Sequence, residues 1–383
     1  MLAREKGGKT MNKAYEEHLN RVMAAVNFEP VDRVPYLPCA TSANAKICGV
    51  SIADYCADMA LNTEINLKGY LMCGEPDGVQ AAIYTPDILP IAWLGKVLVP
   101  GRELGPEESW QMNEVGVLTQ EDYDLIISEG YDAWINDVYV NRLDNPLARL
   151  GSFFGYAPEA TRIFAEAGIP NFCGATLAAP IEAICGGRTL IPFLAEDLFD
   201  IPDKVEKAFD VVHEAQMAGW EAQFASPAKP VGVWIGGWRG TPDILNREMF
   251  LRYAWKYIVE MVQLCVDYDV VPTLHLDSNW DNAMDLLLTL PPHKVIVSLD
   301  GMTDIFKAGE ILEGHSCIMG DVPSTMTSYA TPEEVDAYCE RLIREVGPRG
   351  YILATGCDTP LSAKLENLQA MGAAPKKYAY LMK

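Results

Sequence analysis

The chain has 383 residues, 49% of them apolar and 22% charged, a composition that supports a large buried core and argues against disorder. Its formal net charge of −23 argues against nucleic acid or an anionic membrane surface as partner, since both want a basic patch. Ten cysteines without a Cys-x-x-Cys or a regular spacing exclude a disulfide scaffold and read as reduced thiols of a cytoplasmic protein.

In chain order, residues 1–13 carry lysines but no apolar run, so they are expected to be a flexible tail and not a signal peptide. Residues 14–383 read as one barrel domain. No stretch reaches the roughly 18 apolar residues that a membrane helix needs. A helix carrying His18 comes first, then a strand over Arg33–Pro38 and a helix over Ile52–Tyr70. Residues 98–145 are acidic, aromatic and poorly periodic, and are expected to be an insertion packed beside or over the main fold.

Regularity rises after Asn171–Thr176, which reads as another strand. Short β-branched or apolar runs follow at Val231–Ile235, Val270–Leu276, Val295–Leu299, Cys317–Gly320 and Tyr351–Ala354. Helical periodicity fills most gaps, at Lys204–Phe224, Arg247–Tyr268 and Thr331–Val346. In the last of these Thr331 and Glu334 form a capping box, Pro332 takes the first turn, and Gly347-Pro348 ends the helix. Strand–helix alternation of this kind predicts an α/β fold, a (β/α)8 TIM barrel with an N-terminal extension and the insertion. A doubly wound sheet loses its usual support because no Gly-x-Gly-x-x-Gly follows a strand.

In such a barrel, chemistry collects where strands end. Those ends read Gly236-Gly237-Trp238-Arg239, His275-Leu276-Asp277-Ser278-Asn279, Asp300-Gly301, Asp321 and Gly356-Cys357-Asp358. Of the five histidines, His275 alone is placed at the mouth; His18 and His213 fall in helices, His293 in a turn and His315 below a strand. Cys357 closes its strand after a glycine, with Cys39 as a rival thiol after the first strand. Imidazole, carboxylate and thiolate are all zinc ligands, so His275, Asp277 and Cys357 form a candidate metal site with one position left open. The bland alternative for His275, a hydrogen-bonded structural histidine, stays open. Trp93, Trp234 and Trp238 wall a flat substrate or simply fill core. Asn279 and Asp321 are candidate substrate contacts. Asp300 is a candidate catalytic carboxylate, and both aspartates could equally cap their loops.

The ordered set of Pro30-Val-Asp-Arg-Val-Pro35, Thr85-Pro-Asp-Ile-Leu-Pro-Ile-Ala-Trp-Leu-Gly95, Thr273-Leu-His-Leu-Asp-Ser-Asn279, Cys317-Ile-Met-Gly-Asp-Val322, Thr331-Pro-Glu-Glu-Val335 and Tyr351-Ile-Leu-Ala-Thr-Gly-Cys357 resembles the uroporphyrinogen decarboxylase superfamily. The resemblance implies the same barrel. It divides into two branches here. True decarboxylases carry an arginine-rich loop after the first strand, where this chain has Cys39-Ala-Thr-Ser-Ala-Asn-Ala-Lys46, and a histidine where Cys357 stands. Asp87 does match their pyrrole-binding aspartate and is taken as a second candidate catalytic carboxylate. The zinc methyltransferases that work with corrinoid proteins are similar at His275 and at Gly356-Cys357, and depart at Asp277, where they have cysteine.

The resemblance therefore implies zinc, a corrinoid (cobalamin) on a partner protein, and a small-molecule methyl donor or acceptor. Exchanging a thiolate for the Asp277 carboxylate hardens the ligand set and favours an ether or alcohol oxygen, hence an O-methyl substrate. Two alternatives are weighed beside it: cofactor-free uroporphyrinogen decarboxylation through Asp87, and a non-catalytic barrel that binds a corrinoid or tetrapyrrole.

Overall fold

The computed structural model describes residues 12–382. The expected tail thus falls mainly outside the described residues. Its last two positions already serve the first helix, Lys13–Val26, whose Asn12 cap accepts the Ala14 N–H.

The chain builds a (β/α)8 barrel. Six staves are regular parallel strands bonded in chain order: β3 (Thr176–Ala178), β4 (Gly232–Gly237), β5 (Val271–Leu276), β6 (Ile296–Leu299), β7 (Cys317–Val322) and β8 (Tyr351–Thr355). Alternation sorts their side chains into two layers. Leu274, Val297, Ile318 and Leu353 face the helices, whereas Val271, Ile296, Met319 and Ile352 fill the lumen. From below, Val22, Ala25 and Val26 of the first helix pack into that lumen and close it.

Two irregular staves complete the ring. Tyr36 bridges Leu353 and Val79 bridges Asn171, both in parallel. The Asp77 N–H donates to the Tyr36 carbonyl at 2.9 Å and joins the two. The expected Arg33–Pro38 strand shrinks to these few bonds because Pro35 and Pro38 have no N–H to donate. The stave at Asp77–Gln80 is too short to carry a period, so sequence reasoning missed it. Buried Asp77 replaces the lost ladder: its carboxylate accepts from Arg21 and Arg33, each at 2.5 Å, and from the Tyr36 N–H at 3.0 Å.

Other boundaries moved for local reasons. The expected helix Ile52–Tyr70 is two helices, Ile52–Ala57 and Met59–Cys73. Asp58 separates them, because its side chain accepts the Ala60 and Leu61 N–H groups and so caps the second. The capping box of helix Pro332–Glu345 is present. Within residues 98–145, β2 (Gln111–Asn113) pairs antiparallel with β1 (Lys96–Leu98), and two helices follow, Glu121–Glu129 and Tyr131–Asp137. Their Tyr123, Ile126 and Trp134 are buried in the core that lines the outside of the barrel. Among the described residues no helix is long and apolar enough to cross a membrane.

Candidate metal centre at the barrel mouth

His275 is the last lumen-facing residue of β5, above Val271 and Thr273, and is 2% exposed. Its Nδ1 lies 3.3 Å from the Ser298 hydroxyl on β6. Its Nε2 lies 3.3 Å from an Asp277 carboxylate oxygen. Cys357, just past β8 and exposed, completes the group. The three ligand atoms lie within 4.8 Å of one another, the one such cluster among the described residues. Burial disfavours a charged His275, yet the Asp277 carboxylate and the Cys357 sulfur outweigh it and hold the imidazolium up to about 10. Both groups thus favour positive charge on that ring.

Each candidate ligand is held by its own neighbours. The loop after β5 is pinned along its backbone: Asp277 N–H donates to the Gly237 carbonyl at 3.1 Å, and the Trp280 indole N–H donates to the Asp277 carbonyl at 2.9 Å. Asp300 accepts the Ser278 N–H at 2.9 Å and the Met302 N–H at 2.8 Å, while the Thr303 hydroxyl donates to the Ser278 carbonyl at 3.1 Å. These bonds hold Ser278 at φ +67°, a conformation costly for a side chain bearing a Cβ. Asp300 therefore orients the Asp277 loop. Burial raises its carboxyl, and the two N–H donors oppose that.

On the other side, Thr359 donates twice to the Cys39 carbonyl, at 3.0 Å through its N–H and 2.7 Å through its hydroxyl. Asp358 accepts the Thr41 N–H at 3.0 Å. The rival thiol Cys39 faces Asp358 at 3.7 Å and is pushed up by burial. It lies outside the ligand cluster and seats the loop that carries Cys357. Gly356 fits here because it has no side chain. A Cβ there would stand 2.6 Å from the Asp300 carbonyl oxygen and 2.7 Å from its carbon. Both are backbone atoms, so Gly356→Ala must displace Cys357 or Asp300. This variant is expected to lose about 1–3 kcal/mol of stability, read from thermal melting.

The remaining expected site residues have other settings. Trp234 stacks on the His275 ring. Trp238 covers Gly236 and meets Trp93 edge to face at 5.2 Å. Asn279 is spent on its own loop and the next, accepting the Asp281 N–H at 2.9 Å and donating to the Met302 carbonyl after β6 at 3.2 Å. Asp321 was expected as a substrate contact at the mouth. It is instead buried against the outer helix, accepting the Tyr338 hydroxyl at 2.7 Å, and burial pushes it up to about 7. Asp87 is by sequence a candidate catalytic carboxylate. It accepts from Arg102 at 2.9 Å and Arg149 at 3.2 Å, arginines supplied from residues after Pro100 that no motif marked.

Sequence reasoning missed Glu182. This buried carboxylate, on the helix after β3, accepts the N–H groups of Trp238 (3.2 Å), Arg239 (2.7 Å) and Gly240 (2.9 Å), and shapes the loop after β4. Burial pushes it up to about 7 against those donors. A lone glutamate in a short, mostly apolar helix carries no signal of such a role; its burial reveals it.

The fold superposes on a solved methyltransferase from Methanosarcina mazei with a TM-score of 0.68, covering 94% of this chain and 98% of that one at 17% identity, a likeness of fold. The methylcobamide:CoM methyltransferase MtbA of Methanosarcina mazei is 27% identical over 140 residues, 36% of this chain. The chain thereby spans 39% of that curated relative's length. Residues 137–378 match the family model for uroporphyrinogen decarboxylase (URO-D), more than half of the sequence, and the chain belongs to that family.

Proposed function

We propose that this protein is a zinc-dependent methyltransferase that moves a methyl group between a small O-methyl compound and a corrinoid carried by a partner protein. The observation that carries the reading is the convergence of His275, Asp277 and Cys357, with ligand atoms within 4.8 Å of one another. Nitrogen, oxygen and sulfur donors in one cluster fit zinc, and three protein ligands leave a position for substrate. A bound zinc would act as a Lewis acid on the substrate oxygen, more strongly with a carboxylate ligand than with a second thiolate. The chain's own part is to orient: Ser298 on His275, Asp300 and Trp280 on the Asp277 loop, Gly356 under Cys357. Trp238 and Trp93 stand beside the mouth as apolar walls.

The decarboxylase reading draws less support. It needs Asp87 free to face a pyrrole, and that carboxylate is engaged by Arg102 and Arg149. The test is direct. Zinc-loaded protein mixed with cob(I)alamin and a panel of O-methyl donors is expected to form methylcobalamin, followed by its absorbance. Metal-free protein that converts uroporphyrinogen would overturn the proposal. Tight corrinoid binding without turnover of any donor would replace it with a carrier role.

A further inference from the structure

Trp234 occupies the lumen side of β4, between Val233 and Ile235, which face the outer core. Its backbone pairs with Thr273 and not with His275, so the indole must lean one layer toward the mouth to reach the imidazole. It lies flat there, ring centroids 4.4 Å apart and planes 10° apart. Gly236, the true register partner of His275, has no side chain to compete for that face. Ser298 holds the same ring by its edge, at Nδ1.

These two contacts restrain different motions. A histidine side chain is staggered at its first torsion but broad at its second, so nothing intrinsic fixes the plane of the ring. The flat indole removes that freedom, because tilting the imidazole drives it into the Trp234 face. Ser298 then selects which nitrogen turns away from the mouth, leaving Nε2 toward Asp277 and Cys357. The indole face also favours a positively charged partner, whether the ring carries a proton or a metal.

We infer that Trp234 is a positioning residue that locks the plane of His275, acting with Ser298 to keep Nε2 as the ligand atom. The inference rests on the reading that His275, Asp277 and Cys357 hold a metal. It reassigns Trp234 from the substrate wall to the support of the metal ligand.

Cobalt(II) is the probe, added to purified full-length protein and followed by its visible d–d bands. Trp234→Leu keeps an apolar side chain but removes the flat face. It is expected to weaken cobalt binding about 10–100-fold, the range for lost outer partners of a metal-bound histidine, and to change the shape of the bands. Trp234→Phe, which can still stack, is expected to recover most of the affinity and the wild-type spectrum. Circular dichroism checks the fold of each variant. Should Trp234→Leu fail to fold, nitrogen NMR of the metal-loaded wild type decides instead: metal on His275 Nε2 supports the inference and metal on Nδ1 overturns it. A folded Trp234→Leu with wild-type affinity and spectrum also overturns it. A wild type that binds no cobalt at all sinks the metal reading itself, a distinguishable result.

Discussion

Replacing Cys357 with alanine is expected to take the purified protein from about one zinc per chain to almost none, as measured by elemental analysis after dialysis. On the proposed reading a metal ligand is removed, so the affinity loss should exceed the roughly 100-fold that outer partners alone can cost. The fold should survive, because Cys357 is exposed and exposed substitutions usually stay within about 0.5 kcal/mol. His275→Ala should lose the metal as completely, at a further cost in stability, since the ring is 2% exposed and fills space between Trp234 and Ser298. Asp277→Asn keeps the shape and an oxygen while removing the charge, and should fall between wild type and the alanine variants. Methyl transfer to cob(I)alamin should follow metal content across this series. Full zinc occupancy in Cys357→Ala would show that the ion lies elsewhere.

Zinc affinity is expected to climb steeply with pH. In the metal-free protein His275 is protonated up to about 10, so a metal must displace a proton from Nε2 throughout the neutral range. That exchange alone makes apparent affinity rise about tenfold per pH unit below pH 10. Stability of the metal-free protein runs the other way. A histidine raised from about 6.5 to about 10 contributes stability that is fully present below pH 6.5 and is lost as pH rises through 10. The shift in melting temperature on adding zinc should therefore grow from pH 6 to pH 8. Calorimetric titration in two buffers of different ionisation heat measures the released protons. A pH-independent affinity would mean that His275 is not a ligand.

How much of this was readable beforehand varies along the chain. The C-terminal staves were legible because each strand is an apolar run bounded by a capped helix, as in Thr331–Glu345, where both the cap and the stripe are local. The first two staves were not. Pro35 and Pro38 erase the ladder of one, and Asp77–Gln80 is too short for a pattern; both are held by non-local bonds such as those of Arg21, Arg33 and Tyr36 to Asp77.

The same division runs through the site. Sequence by itself named His275, Asp277 and Cys357, because strand ends of a barrel face one mouth and their donor types are written in the residues. It also assigned the chain to its family. Only the tertiary structure decided what surrounds those candidate residues, since Trp234, Ser298 and Asp300 reach His275 and the Asp277 loop across strands and loops that lie far apart in the chain. It also removed Asp87 and Asp321 from the set of free carboxylates. Arg102, Arg149 and Tyr338 reach them from distant segments, and such pairings depend on packing that no local spacing encodes.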